Sequence, residues 1–205
     1  EIVPTRRAVR STRHTTAPHA VHVTFPEDTS LQSLMTNPPS GKSIALCGSK
    51  RAIEDIYIQH AEALEQKGVT LICQGLAGGQ GRMESEFMAA TGTVLWVITP
   101  WMYEGIEVPL GTVDRLLVES LPFDHPNQPV FKHRKDRHAN GFEHYALPRV
   151  ECRLFRLLRT FCKQRTPRGD VMVLDRRLRE KAYGKRIMAY LGQFEATTKA
   201  APQNG

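Results

Sequence analysis

Three short apolar runs, set between helical patterns, constrain this chain more than any other feature. SIALC (43–47), VTLIC (69–73) and TVLWVI (93–98) are each about one strand long and bounded by glycine or polar turn residues. A run this short and this apolar suits a strand covered on both faces, which is the environment of a parallel sheet. Between the first two, Ser49 can cap a helix that runs to Lys67, with Ile53, Ile56, Tyr57, Ala61 and Leu64 on one face and Gly68 as its stop. GGQGRMESEFMAA then reads as a glycine-rich loop and a short helix. VDRLLVE (113–119) is a fourth strand, Arg149–Gln164 a helix, VMVL (171–174) a strand and Arg177–Leu191 a closing helix. The order β-α-β-α-β-β-α-β-α predicts an α/β fold, with a mostly parallel sheet and helices on both faces. Ligands of such sheets bind beyond the C-terminal strand ends, so the loops after Leu46, Ile72, Ile98 and Leu174 are where chemistry is expected.

The two ends read differently. Residues 1–40 are expected to be a basic flexible arm and linker, although VHVTF (21–25) alternates like a short strand before Pro26 and TNPPS (36–40) reads as the linker proper. Residues 41–195 are expected to form the domain, and residues 196–205 a low-complexity, disordered tail. No apolar run approaches the roughly 18 residues of a membrane span, and the basic stretch Glu1–Arg13 leads into no apolar segment. A cytoplasmic location with no membrane partner is expected. Cys47, Cys73, Cys152 and Cys162 form no CxxC pair, so reduced, packed thiols are expected rather than a metal site.

Charge is segregated. Residues 41–130 carry 6 Lys/Arg against 11 Asp/Glu, whereas residues 131–190 carry 17 against 6. A basic half on an acidic one suggests a polyanion partner, and equally fits a solvated basic surface. On the 149–164 helix, Val150, Leu154, Leu157, Leu158 and Phe161 share one face, and Arg149, Arg153, Arg156, Arg159 and Lys163 are assigned to the opposite one. Like charges on one stripe repel, so an anion, most naturally phosphate, is expected to compensate them.

Gly41-Lys42-Ser43 resembles the end of a phosphate-binding loop, but that loop needs a strand before it and a helix after it. Here prolines precede it and a strand follows, so a turn launching the first strand is expected. TPWMYEGIEVP (99–109) follows a buried strand and combines Trp101, Tyr103, Glu104 and Glu107 with Gly105, where backbone can approach a ligand closely. The spacing of His125, His133, His138 and His144 fits no metal site, and a surface loop is expected.

Several of these segments, taken in order, resemble the second, C-terminal RecA-like motor domain of the DinG/XPD-type superfamily 2 DNA helicases, a P-loop NTPase-like fold. VLWVITPWMYEGIEVP (94–109) is similar to that family's strand and aromatic-EGxD motif, with Glu107 where aspartate is usual. LLVESLPFDHPNQP (116–129) resembles its strand followed by LPFxxPxxP. YALP (145–148), the arginine helix, RGDVMVLDRR (168–177) and KAYGK (181–185) resemble its closing motifs. The family's QxxGRxxR helix fits in two registers. One places its arginines on Arg156 and Arg159, with Cys152 and Phe155 in place of the glutamine and glycine; it needs a one-turn slip but preserves the string RLLRT. The ungapped register places Thr160 and Lys163 on the arginine positions and implies a degenerate site. The first is preferred because a one-turn slip is structurally cheap.

The resemblance implies a function. ATP and Mg2+ sit between two RecA-like domains, the metal held mainly by the first, and the second contributes arginines that stabilise charge on the transferring phosphoryl group. Arg156 and Arg159 are the implied catalytic arginines. Glu104, Gly105 and Glu107 are the implied nucleotide-side loop, coupling nucleotide state to the grip on DNA. Lys50, Arg51, Arg82 and Trp101 are the implied contacts to single-stranded DNA, with 5′ to 3′ movement. With no phosphate loop or acid box in this sequence, the resemblance implies that a first RecA-like domain lies in the same longer chain, or else in a partner chain, and that this chain alone does not hydrolyse ATP. A CRISPR ribonucleoprotein partner is implied if the chain belongs to the DinG-like members encoded beside type IV systems. The alternative is a pseudo-helicase that kept the fold as a nucleic-acid-binding or scaffolding module.

Overall fold

The structure is a computed structural model, and it describes residues 21–199. Six strands form one sheet in the order β1-β6-β5-β2-β4-β3. They are β1 (His22–Thr24), β2 (Lys42–Leu46), β3 (Thr70–Cys73), β4 (Val94–Ile98), β5 (Val113–Val118) and β6 (Arg165–Val173). Every pairing is parallel. The expected α/β architecture with a parallel sheet is what forms.

Alternation along the strands sorts the core into two layers, because successive side chains point to opposite faces. Ile44, Leu46, Trp96, Ile98, Leu116 and Val118 pack on one side with Met83 and Phe87 of α3 (Gln80–Ala89), with Leu154, Leu157 and Phe161 of α6 (Leu147–Gln164), and with Ile187 and Leu191 of α8 (Gly184–Lys199). Ala45, Cys47, Leu95, Val97 and Leu117 face the other side, against Leu31 and Met35 of α1 (Leu31–Thr36) and Ile53, Ile56 and Leu64 of α2 (Lys50–Gln66). The short helices α4 (Pro100–Tyr103), α5 (Pro129–Lys135) and α7 (Arg177–Glu180) complete the chain, and a π-helical turn at Phe142–Ala146 leads into α6.

Several boundaries differ from the expectations. The arm and linker expected through residue 40 contain β1, which pairs with β6, and α1, whose Ser30 caps it and whose Leu31 and Met35 are buried. Six residues followed by two prolines carry too little periodicity to read as a helix. Residues 1–20 lie outside the described residues. β6 begins at Arg165 rather than near 171: the RTPRGD segment is absorbed by a register shift against β5 between Val113 and Arg115. Arg115 and Asp170 are cross-strand partners there and form an ion pair at 3.0 Å. The closing helix is two helices. Gly184 begins α8 so close to α7 that a Cβ would lie 1.9 Å from the Leu178 carbonyl oxygen. α8 runs to Lys199, so the tail expected from residue 196 begins as helix, and residues 200–205 lie outside the description.

The Gly41-Lys42-Ser43 segment is a turn and strand start. Gly41 takes φ +88°, which favours glycine, and lets the Lys42 N–H donate to Asp114 at 2.8 Å. The Lys42 ammonium donates to the Phe87 and Met88 carbonyls at the end of α3, and Ser43 is buried within β2. None of the described helices is long and apolar enough to cross a membrane.

Candidate functional site

The EGIE loop is anchored from three directions. α4 starts on a Thr99 cap with Pro100 in its first turn and ends at Glu104. The chain then turns, with the Gly105 and Ile106 N–H groups donating back to the Met102 and Tyr103 carbonyls. Gln80 of α3 donates its amide to the Gly105 carbonyl at 2.7 Å, Glu84 accepts from the Glu107 N–H at 3.3 Å, and the buried Gln164 of α6 donates to the Ile106 carbonyl at 2.9 Å. Ile106 and Val108 are buried between these anchors. A cavity of ≈ 300 Å3 lies between this loop (Glu104 to Val108) and Thr160, Lys163 and Gln164 of α6.

The arginine helix is not a free basic stripe. Arg149 donates to Asp124 at 2.7 Å, and Arg153 reaches Asp124 at 3.1 Å and Glu104 at 3.5 Å. Arg156 lies 3.7 Å from the other oxygen of Glu104. Three of the five charges therefore meet carboxylates from distant loops, and Arg159 and Lys163 make no ion pair among the described residues. Arg153 corrects the expectation most: it is only 7% exposed, not on an outer face. At 100° per residue it sits about 40° from Leu157 on the helical wheel, on the border of the apolar face, where a long stem can pass beneath neighbouring loops. It donates to the Pro122 carbonyl and lies 4.9 Å from the centre of the Trp101 ring. Burial pushes the Asp124 carboxyl up, but hydrogen bonds from Arg149 and Arg153 outweigh it and hold the group below the ordinary carboxylate range.

A second buried acid pins the 120–124 loop. Asp175, just after β6, accepts from the Leu121 N–H at 2.6 Å and from the Arg177 N–H at 2.9 Å. The Arg177 guanidinium bridges Asp175 and the Ser120 hydroxyl, and lies 5.2 Å from the Phe123 ring centre. Burial pushes Asp175 up, and these bonds more than reverse it, leaving the carboxyl below its usual value. Sequence reasoning found LDRR only as a motif. An aspartate two residues before an arginine, at a strand's C-terminal end, was the available signal for the clamp.

The residues expected to contact nucleic acid lie in the first turns of three helices. Lys50 and Arg51 open α2 after β2, Arg82 lies in the first turn of α3 after β3, and Trp101 lies on α4 after β4. All four are exposed, Trp101 by 45%, and β2, β4 and β3 are adjacent in the sheet. His125, His133, His138 and His144 are exposed, although two of them lie on helical segments rather than in the expected loop.

A family model described as the helicase C-terminal domain matches residues 31–194. The chain belongs to that family. It is 26% identical over 156 residues to the ATP-dependent DNA helicase YoaA of Escherichia coli, covering 74% of this chain and 24% of YoaA. It is 28% identical over 165 residues to the ATP-dependent helicase DinG of Mycobacterium tuberculosis, covering 78% and 24%, and 22% identical over 157 residues to the 3′-5′ exonuclease DinG of Bacillus subtilis, covering 74% and 17%. The chain thus spans a quarter or less of these relatives' lengths. Among solved structures it is similar to the C-terminal domain of the DEAD-box protein Dbp5, with a TM-score of 0.51 at 19% identity over 86% of each chain. That likeness establishes the RecA-like fold.

Within this helicase C-terminal domain, the two registers of the arginine helix have different surroundings. Thr160 and Lys163 line the cavity beside the EGIE loop. Arg156, its side chain 57% exposed, reaches that loop only through Glu104, and Arg159 is not among the residues lining the cavity. Phe155, standing where the family has glycine in the slipped register, is 40% exposed.

Proposed function

We propose that this chain is the second motor domain of an ATP-dependent DNA helicase. It works across a cleft from a first RecA-like domain in the same longer protein and moves 5′ to 3′ along single-stranded DNA. The observation that carries the reading is the EGIE loop, held by Gln80, Glu84 and Gln164 and joined through Glu104 to the arginines of α6. The same loop thereby contacts α3, which bears Arg82, and through Arg153 the ring of Trp101.

The residues present fit a nucleotide in part. Lys163 and Thr160 offer donors beside the loop, and Arg156 and Arg159 are exposed cations one turn away, but Glu104 and Glu107 stand on the same side. Two carboxylates disfavour a bare phosphate, so the phosphate cradle and the acids that hold Mg2+ belong to the first domain. ATP supplies the transferring phosphoryl group. This chain's part is to place cations where negative charge develops, with Arg156 and Arg159 in that role. Arg156 is the better placed to respond, because its 3.7 Å pairing with Glu104 at a half-exposed site is weak and easily exchanged for a phosphate oxygen.

A second reading, a degenerate module that binds nucleic acid without hydrolysis, is favoured by Thr160 and Lys163 rather than two arginines at the cavity wall. Assembly with a CRISPR ribonucleoprotein would suit that reading and rests on resemblance alone. Strand displacement by the complete protein tests the choice. ATP-dependent unwinding that is lost when residues 41–195 are deleted supports the motor, whereas single-strand binding without unwinding or hydrolysis supports the module.

A further inference from the structure

β3 is the last strand of the sheet order, and no described strand pairs with its outer side. Thr70 and Gln74 donate their N–H groups inward, to the Thr93 and Val97 carbonyls. Alternation therefore turns the N–H and carbonyl of Leu71 outward. Open edges of this kind are normally blunted by lysine, proline or a bulge. TLIC (70–73) carries neither lysine nor proline, and its pairing with β4 has no register shift. Beside this edge lies a groove of ≈ 390 Å3, lined by Leu71 of the strand and by Tyr57, Ala61 and Glu65 of α2. Leu71 is only partly buried, Tyr57 is 42% exposed, and the adjacent Ile58 is 79% exposed. Apolar side chains thus flank unpaired backbone, which is the arrangement that an added strand completes.

The charges on α2 decide what the edge would accept. At 100° per residue, Ala61, Glu54, Glu65, Ile58 and Glu62 follow Tyr57 in that order around the helix, on the side away from the buried Ile53 and Ile56. Glu54, Glu62 and Glu65 are exposed, and none has an ion-pair partner among the described residues. The cations Lys50 and Arg51 stand at the start of the helix, roughly 20 Å along its axis from Glu65. Lys67, past the other end, donates to the Thr36 carbonyl. The groove is therefore bordered by unpaired carboxylates on a chain of net charge +7. They repel phosphate, and they repel one another if two copies pair edge to edge, so neither a nucleic acid nor a second copy suits this face. The spacing is also specific. Glu54 and Glu65 lie about 8 and 9 Å along the axis from the midpoint of Tyr57 and Ala61. Side chains two residues apart on a strand are about 7 Å apart and share a face.

We propose that the open edge of β3 is a docking site for an extended basic segment of a partner protein, added to the sheet as a further strand. One apolar side chain of the segment fills the groove between Leu71, Tyr57 and Ala61. Basic side chains two residues to either side of it reach Glu54 and Glu65. The Leu71 N–H and carbonyl supply backbone pairing, while the Cys73 carbonyl is already taken by the turn that follows β3. Backbone pairing this short leaves specificity to the groove and its carboxylates.

The test is titration of the purified chain with the capped peptide Thr-Lys-Thr-Val-Thr-Lys-Thr, followed by backbone amide NMR. Saturable shifts centred on β3 and the Tyr57–Glu65 part of α2 are expected. Replacing both peptide lysines with glutamate should weaken binding by about 10-fold or more, as should Glu65→Lys in the protein. Tyr57→Ala should weaken it comparably, and because both side chains are exposed neither variant should shift the urea midpoint appreciably. N-methylation of one alternating set of peptide amides should abolish binding, and methylation of the other set should be tolerated. That pattern belongs to strand pairing and needs no change to the protein. Equal binding of the two methylated peptides would overturn strand addition and leave a charge contact. Equal binding of the lysine and glutamate peptides would overturn the basic partner, and no binding by any peptide would overturn the site. Concentration-dependent dimerisation lost in Leu71→Lys would give the edge to a second copy. Binding by this chain but not by the complete longer protein would give it to a segment of that same protein. Displacement of the peptide by an oligonucleotide in a Tyr57-dependent manner would give it to nucleic acid. Each of these three results would overturn the proposal.

Discussion

Replacing Arg153 with methionine keeps the volume of its stem and deletes its guanidinium. Four contacts go with it: the ion pair to Asp124 at 3.1 Å, the ion pair to Glu104 at 3.5 Å, the hydrogen bond to the Pro122 carbonyl and the stacking on Trp101. Removing one partner of a buried pair costs about 3–5 kcal/mol, chiefly because the other charge is left uncompensated. Here Asp124 keeps Arg149 at 2.7 Å, and Glu104 is 27% exposed with Arg156 still nearby, so the lower end applies. A loss of about 3 kcal/mol follows, which for a domain of this size lowers Tm by about 6–12 °C. Urea and thermal unfolding measure it. The pH dependence carries a sign. Asp124 has its folded pKa lowered, so its contribution is present above the unfolded value of about 4 and is lost as pH falls through the folded one. The deficit of Arg153→Met should therefore be full at neutral pH and shrink in acid. A deficit under about 1 kcal/mol at neutral pH, or one that grows in acid, would refute the reasoning.

Glu119 has the opposite sign: burial raises its pKa, outweighing the Gly48 N–H that favours the carboxylate, so ionisation opposes folding. Glu119→Gln should stabilise the domain above about pH 5 and make no difference in stronger acid, as read by urea midpoints. Burial pushes the Cys73 thiol up to about 12 and Cys47 higher still, whereas Cys152 is exposed. A thiol reagent at about pH 8 should therefore label Cys152 first, and Cys47 and Cys73 only with unfolding, in peptide mapping of a time course. Gly184→Ala forces a Cβ onto the Leu178 carbonyl and should cost about 1–3 kcal/mol or more, lowering the unfolding midpoint.

Much of the architecture was legible because a parallel sheet writes its strands as short apolar runs. SIALC, VTLIC and TVLWVI all form strands at those positions. Tertiary context hid the rest. RTPRGD carries a proline and a glycine, yet it extends β6 where β1 does not reach and the ladder to β5 is broken. Tyr57 fits the apolar spacing of α2 and is 42% exposed, because Leu64, Ile53 and Ile56 suffice to seat the helix. The candidate site shows the same division. A loop of aromatic, acidic and glycine residues after β4 could be read as chemistry-bearing from its composition and place. That Asp124 and Glu104 would pair with three arginines of α6 could not, because those partners come from segments 20 or more residues away in sequence and meet only in the fold.

The most direct test of the motor assignment is single-strand-stimulated ATP hydrolysis by the complete protein, comparing wild type with Arg156→Ala, Arg159→Ala and Lys163→Ala. A motor using Arg156 and Arg159 at its cleft predicts a loss of roughly 10³-fold for each of those two and a smaller one for Lys163→Ala. Robust hydrolysis that survives both arginine substitutions but falls with Lys163→Ala would contradict the assignment and place the cleft at the Thr160–Lys163 wall.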